Sequence, residues 1–343
     1  MNVNQKFSSL ALQGSGGAPA SNPTMTVQIQ VRVARVADQT GRIRTYELVR
    51  PDGSSLPPFT AGSHVSIRLP SGLIRHYSIA NNSSETHRYV LGIQLDANSQ
   101  GGSSYIHESI REGDTLFIGT PVNNFGLHNG AVRTILIAGG IGITPIMSMA
   151  HQLDDSGGAF ELYYLTRSMA ETAFREDIGA AKFVDKVTFH HDEGMPDKQF
   201  DVRSLLRGVR QDTHIYCCGP AGLMAAVKNA SAHWPAEQVH FEYFSNTTPL
   251  DAQGDQPFQV ALARTGLTLT VHPGETILQV LLRNNVDVAY SCEEGTCGTC
   301  VTKVLNGIPD HRDVVLDAAE RTSNRVITVC CSRSISSSLV LDL

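Results

Sequence analysis

SCEEGTCGTC, residues 291–300, sets Cys292, Cys297 and Cys300 in one loop with two glycines and two glutamates. The spacing Cys-x4-Cys-x2-Cys opens the plant-type [2Fe–2S] arrangement, which takes a fourth, distant cysteine. Cys330 and Cys331 follow Cys300 with 29 and 30 residues between and can supply it. Two bridged irons need four soft thiolates, and a short loop wraps them only if its backbone turns tightly. Gly295 and Gly298 permit that turning and let main-chain N–H groups approach the sulfurs. The competing reading is a structural zinc site. Such sites pair two short hooks of two cysteines, whereas here one hook has three and the other is an adjacent pair. The spacing alone does not divide Cys330 from Cys331.

Around this loop the pattern is that of a small β-rich module. FQVALART and LTLTV alternate apolar and polar residues on either side of Gly266, and VTKVL, VITVCCSRS and LVLDL follow the loop. Residues 275–284, ETILQVLLRN, read as a short amphipathic helix with Glu275 in its first turn. PLDAQGDQP marks a linker, placed at 247–257, so the module spans 258–343.

Upstream, TILIA (134–138) is a nearly unbroken apolar run, as a strand buried on both faces requires. ELYYL, KVTFHH, THIYCC and QVHFEYF follow with helix-length spacers, which predicts a parallel α/β sheet over 129–246. Before residue 129 the periodicity is different. VQIQVRVARV, RTYELV, HVSIRL, RHYSIA, YVLGIQL and TLFIGTP are short strands divided by turn signals such as PDG and PSG. They predict an antiparallel β-barrel over 26–128. Residues 1–25 contain a Gly/Ser/Ala/Pro-rich stretch and read as a flexible lead-in with no secretory pattern.

Composition narrows the function. The net charge of −6 gives no electrostatic support for nucleic-acid binding. No run of 18 apolar residues predicts a membrane span. Seven cysteines, four of them in adjacent pairs, make a poor disulfide framework and point to metal or redox chemistry in the cytoplasm. No Ser/His/Asp or paired-carboxylate pattern argues for hydrolysis.

RHYS (75–78) offers an arginine fork for a phosphate, a flat phenol for a ring and a serine hydroxyl for a flavin nitrogen. GGSSYIH (101–107) can present backbone N–H groups and a helix N-terminus to a phosphate; a plain barrel strand and a plain loop are the alternatives. GGIGITP (139–145) follows a buried strand and opens a helix. Its glycines suit close approach of a pyrophosphate, and Pro145 suits a first helical turn. Cys218-Gly219-Pro220 ends a later strand of the same sheet, so the two loops are expected to face one crevice. Cys217 reads as a small buried strand residue. His190, His191 and His214 read as a solvated strand end rather than iron ligands.

The run CEEGTCGTCVTKVLNGIPDHRD, the later CCSR and the terminal LVLDL resemble the C-terminal ferredoxin module of the phthalate dioxygenase reductase family, to which vanillate O-demethylase reductases belong. RHYS likewise resembles the Arg-x-Tyr-Ser flavin signature of the ferredoxin–NADP reductase superfamily. The resemblance covers about residues 26–343 and includes domain order. It implies a β-grasp ferredoxin domain with Cys292, Cys297, Cys300 and Cys330 as ligands and Cys331 as a bystander. It implies FMN held by Arg75, His76, Tyr77, Ser78, Gly101, Gly102 and Ser103. The family's Pro-Arg-Asn is here Pro121-Val122-Asn123, so one arginine contact is missing. It implies nicotinamide binding by Gly139, Gly140, Gly142, Thr144, Pro145, Cys218, Gly219 and Pro220, with Phe244 covering the flavin. Ser78, Thr144 and Cys218 are the expected catalytic contacts. Arg167, with Ser168, meets the adenosine end. That fits either a 2′-phosphate or the ribose of NADH, and family precedent gives NADH. The implied activity is transfer of electrons from NADH through FMN and the cluster to a separate Rieske non-haem iron oxygenase acting on an aromatic carboxylate or ether. Another monooxygenase or demethylase as acceptor, and a non-enzymatic zinc module, are the alternatives. Glu293 and Glu294 beside the cluster read as an acceptor-docking pair or as a solvated loop.

Overall fold

The computed structural model describes residues 28–97, 101–209, 212–246 and 254–343. The expected lead-in, 1–25, and most of the expected linker lie outside the described residues. The first unit contains β1 (Ile29–Asp38), β2 (Ile43–Val49), β3 (His64–Arg68), β4 (Ile74–Ser78), β5 (Tyr89–Gln94), helix α1 (Gly102–Ser109) and β6 (Thr115–Ile118). The sheet order is β4-β3-β6-β1-β2-β5, all antiparallel. A bridge between Ile79 and Leu91 links its two edges, closing the barrel. Inward residues of these strands, among them Val31, Leu48, Val65, Ile67, Leu91 and Ile118, form one buried cluster.

The second unit runs β7 (Arg133–Gly139), α2 (Ile143–Asp155), β8 (Ala159–Thr166), α3 (Arg175–Ala180), β9 (Val187–His191), α4 (Val202–Leu205), β10 (Thr213–Cys218), α5 (Ala221–Ala230) and β11 (Val239–Glu242). Its strands lie in the order β11-β10-β7-β8-β9, all parallel. Separate apolar clusters pack on the two faces, α2 and α3 with one and α4 and α5 with the other. The strand order reverses between β7 and β10. In such sheets ligands settle outside the carboxyl ends of the strands at that switch point.

The third unit contains β12 (Phe258–Leu262), β13 (Thr268–Val271), α6 (Ile277–Arg283), β14 (Val301–Asn306), β15 (Pro309–Asp310), α7 (Ala318–Ser323), β16 (Val326–Thr328), β17 (Arg333–Ser334) and β18 (Ser338–Leu341). The five-stranded sheet has the order β13-β12-β18-β14-β16 and is covered by α6. Thr276 starts α6 through a capping box with Gln279. That start lies two residues beyond the one the sequence pattern suggests, and Glu275 instead pairs with Arg283.

Candidate functional site

Three pieces of chemistry meet at the seams between the units. The first is the nucleotide crevice. Gly139 closes β7, Gly140–Gly142 make one 3-10 turn, and α2 begins at Ile143, which leaves Pro145 in its first turn. A Cβ on Gly142 would lie 2.2 Å from the carbonyl oxygen of Cys218 and 2.8 Å from the nitrogen of Gly219. The two glycine loops therefore touch, as sequence reasoning expects. They border a crevice of about 850 Å³, lined also by Arg167, Pro220 and Phe244. That is room for a dinucleotide portion. Phe244 is 42% exposed, so it is not a core residue. Thr144 is buried; its hydroxyl donates to the Ile141 carbonyl at 3.0 Å, and its methyl faces Gly92 of β5.

Cys218 departs from expectation. Its side chain has no exposed surface, and burial pushes the thiol far up from its usual range. Its backbone meets the neighbouring loop, while its thiol is sealed in the core. Sequence reasoning missed Glu242, at the end of the adjacent strand. The residue as a whole is half-exposed, yet Oε2 is buried with no hydrogen-bond partner. Burial raises this carboxyl to about 8. A lone carboxylate inside the aromatic run HFEYF is the signal that could have found it.

The second piece is the barrel face. Arg75, His76, Tyr77 and Ser78 all lie in β4. Arg75 and Tyr77 pair with Ile67 and Val65 of β3 and so share the face of those core residues; His76 and Ser78 share the opposite face with Ser66 and His64. Gly101 caps α1 in the left-handed conformation. A Cβ on Gly102 would meet the Arg75 side chain at 2.6 Å, so the arginine lies against the helix N-terminus. Ser103 Oγ accepts from the Asp96 N–H at 3.1 Å. This gathers the expected phosphate-binding groups. Ser78 Oγ is buried without a protein partner, as a side chain waiting for a ligand would be. The donor set fits a flavin phosphate and ring.

The third piece is the cysteine loop. Cys292, Cys297, Cys300 and Cys330 are all buried. Cys292 exchanges hydrogen bonds with Cys297 and Cys330, and these hold it well below the usual thiol range. Cys330 also touches Cys300. Four gathered thiols are a donor set that fits two bridged irons. The N–H groups of Glu294 and Thr296 both point at Cys292 Sγ, each at 3.4 Å. Gly295 between them has φ +75°, and a Cβ there would sit 2.4 Å from Cys331 Sγ. Cys331 touches Cys330 but also lies against Thr328 at 3.4 Å and Ser332 at 3.9 Å.

The loop rests on the barrel. Ser291 Oγ lies 2.7 Å from His76 Nε2, and Asn124 Nδ2 donates to the Cys297 carbonyl at 2.9 Å. Neither contact has a local sequence signal. The histidine reading needs one correction. His190 sits at a strand end with Nε2 2.7 Å from the Lys198 carbonyl. His214, however, is buried, stacked on His128 and joined to His240 at 2.9 Å.

Comparison with known proteins places these features in a class. Residues 136–229 match the oxidoreductase NAD-binding domain, and residues 260–334 match the 2Fe-2S iron-sulfur cluster binding domain. The chain is an NADH-dependent flavin and iron–sulfur oxidoreductase, which sets aside the zinc alternative. More narrowly, it belongs to the phthalate dioxygenase reductase and vanillate O-demethylase reductase family. It is 43% identical to tetrachlorobenzoquinone reductase of Sphingobium chlorophenolicum, covering 94% of this chain and 100% of that one. It is 41% identical to vanillate O-demethylase oxidoreductase of Acinetobacter baylyi, over 92% of this chain and 99% of the relative. The solved structure of phthalate dioxygenase reductase, a modular structure for electron transfer from pyridine nucleotides to [2Fe–2S], superimposes with a TM-score of 0.73. It is 41% identical and is matched over 94% of this chain and all of that one.

Proposed function

We propose that this reductase delivers electrons to a separate Rieske-type oxygenase acting on an aromatic carboxylate or ether, in the cytoplasm. Among the described residues no helix is long and apolar enough to cross a membrane. The working units are 26–128 for FMN, 129–246 for NADH and 258–343 for the cluster, joined through 247–257. Arg75 and the Gly101–Ser103 backbone take the FMN phosphate; Tyr77 and Ser78 take the ring, with His76 beside them. Gly139, Gly140, Gly142 and Pro145 take the pyrophosphate, and Gly219 and Pro220 the nicotinamide side. Thr144 positions the nicotinamide against the barrel, the Cys218 backbone shapes the crevice, and Phe244 covers it. Arg167 holds the adenosine end. Cys292, Cys297, Cys300 and Cys330 ligate iron. When bound, nicotinamide supplies electrons in a pair, the flavin divides them, and the cluster passes them singly. The protein's part is to hold these groups adjacent and keep water from the crevice. Glu293 and Glu294, exposed on the cluster loop, supply an acidic patch for the acceptor.

One observation carries this reading. The cysteine loop sits directly on the strand bearing the flavin motif, through Ser291 and His76. The test is anaerobic NADH titration of the purified protein with cofactor extraction, followed by turnover with purified Rieske-type oxygenases that act on aromatic carboxylates or ethers. Bleaching of both chromophores and NADH-dependent product support the proposal. A colourless protein, or bleaching with no transfer to any Rieske partner, overturns it. A second acceptor class is favoured by one relative, whose name is that of a quinone reductase. Direct quinone reduction in the same assay would favour that reading.

A further inference from the structure

We propose that His76 is a positioning residue that latches the ferredoxin loop to the flavin strand and so governs electron passage from flavin to cluster. This rests on the function proposed above. His76 occupies the variable position of Arg-x-Tyr-Ser, between the residues expected to hold FMN. Strand alternation turns it away from Arg75 and Tyr77, toward the third unit. Its Nε2 lies 2.7 Å from Ser291 Oγ, and Ser291 directly precedes the ligand Cys292.

The ring is held in place. His64, opposite Ser78 on β3, meets it edge to face at 5.1 Å between centroids. His64 is itself buried. Beside the latch, Asn124, from the segment after β6, grips the Cys297 carbonyl at 2.9 Å. Two barrel side chains thus hold the loop at one ligand and immediately before another. Within the loop, Glu293 and Gly295 have positive φ values of 60° and 75°. A segment with that backbone is held in shape from outside as well as by its own turns. The second nitrogen of His76, Nδ1, is buried with no protein partner. The ring therefore makes its one hydrogen bond to protein, through Nε2, with the ferredoxin loop. A serine and a histidine 215 residues apart have no local reason to meet. Their hydrogen bond exists only when the two units are docked.

Losing one hydrogen bond of ordinary strength lowers the equilibrium constant for docking by about two- to tenfold. The test uses full-length holoprotein carrying Ser291→Ala, His76→Ala, His76→Gln and the Ser291→Ala/His76→Ala double substitution. Ser291→Ala leaves the nucleotide crevice untouched. In Ser291→Ala, anaerobic stopped-flow mixing with NADH should show flavin bleaching at the wild-type rate, then cluster bleaching slowed by about two- to tenfold. Amide hydrogen exchange over residues 290–298 should rise in Ser291→Ala and His76→Ala, and the double variant should be no worse than either single. His76→Gln, which keeps a side-chain donor, should recover much of the protection. Wild-type exchange and cluster reduction in Ser291→Ala, or additive effects in the double variant, would overturn the latch. Absence of iron or flavin from the wild-type protein would instead remove the proposed function. The exchange and coupling measurements need neither cofactor and decide the latch in that case too.

Discussion

Gly142→Ala tests whether contact between the two glycine loops builds the nucleotide crevice. Gly142 has φ −61° and ψ −5°, a conformation any residue adopts, so the backbone itself resists nothing. The obstacle is space. An added methyl would lie 2.2 Å from the Cys218 carbonyl oxygen and 2.4 Å from its carbon. Carbon atoms settle at about 3.5 Å or more, so the loops must part by about 1 Å. The obstructing atoms are main chain at the end of the interior strand β10, where no side chain can swing aside. Overpacking of this kind costs about 1–3 kcal/mol. A misplacement of about 1 Å at a hydride-transfer site can cost as much as about 10²-fold in rate. We expect Gly142→Ala to lower the melting temperature by several degrees, raise KM for NADH and slow flavin reduction. Gly179→Ala is the control. Its added methyl meets nothing within 4 Å, and a helical Gly-to-Ala change gains about 0.5–1 kcal/mol. Differential scanning calorimetry and stopped-flow flavin bleaching read both. A Gly142→Ala protein with wild-type melting and wild-type NADH kinetics would refute the contact argument.

Substitution separates the two cysteines of the adjacent pair. Cys330→Ala should lose iron and acid-labile sulfide, whereas Cys331→Ala should keep both; the reverse result in iron analysis would reassign the ligand. Glu242 gives a pH prediction. Its folded value of about 8 stands above the ordinary 4.5, so its contribution to stability is full below pH 4.5 and is lost as pH rises toward 8. Glu242→Gln should therefore match wild type near pH 4.5 and be more stable above pH 8, by about 2–3 kcal/mol once partial exposure is discounted; denaturant melts at the two pH values decide it, and equal stability at pH 8.5 would count against the buried carboxylate. Arg312 is nearly buried, with Nη1 3.0 Å from Asp255 and Nε 2.8 Å from Asp310. Arg312→Ala should destabilise the ferredoxin unit by about 3–5 kcal/mol, followed by thermal loss of its visible absorbance, and lysine should not rescue the forked contact.

What could be read from the sequence was whatever a short spacing encodes. Alternation in HVSIR and VQIQVRV dictates which side chains point inward, so β3 and β1 fall within a residue or two of their expected bounds. The apolar run TILIA could only be a strand buried on both faces, and β7 is buried along most of its length. Cys292, Cys297 and Cys300 constrain one another through a loop of nine residues, so their gathering is a local fact. The choice between Cys330 and Cys331 is different. It depends on which thiol the turn after β16 directs toward Cys292, and one residue of rotation changes the answer. Cys218 shows the same limit. Its place after a buried strand was legible, but the closure of its thiol depends on packing from α2 and neighbouring strands. His214 looked like part of a solvated run of histidines, yet it is held by His128 and His240 from two other segments. His76 and Ser291 are the extreme case. Neither residue type is diagnostic, and their meeting needs the whole fold of the first and third units. The parts of a cofactor site that one segment supplies leave a signature in that segment. The parts that set one cofactor against the next are contacts between distant segments, and the docked structure is where they first become visible.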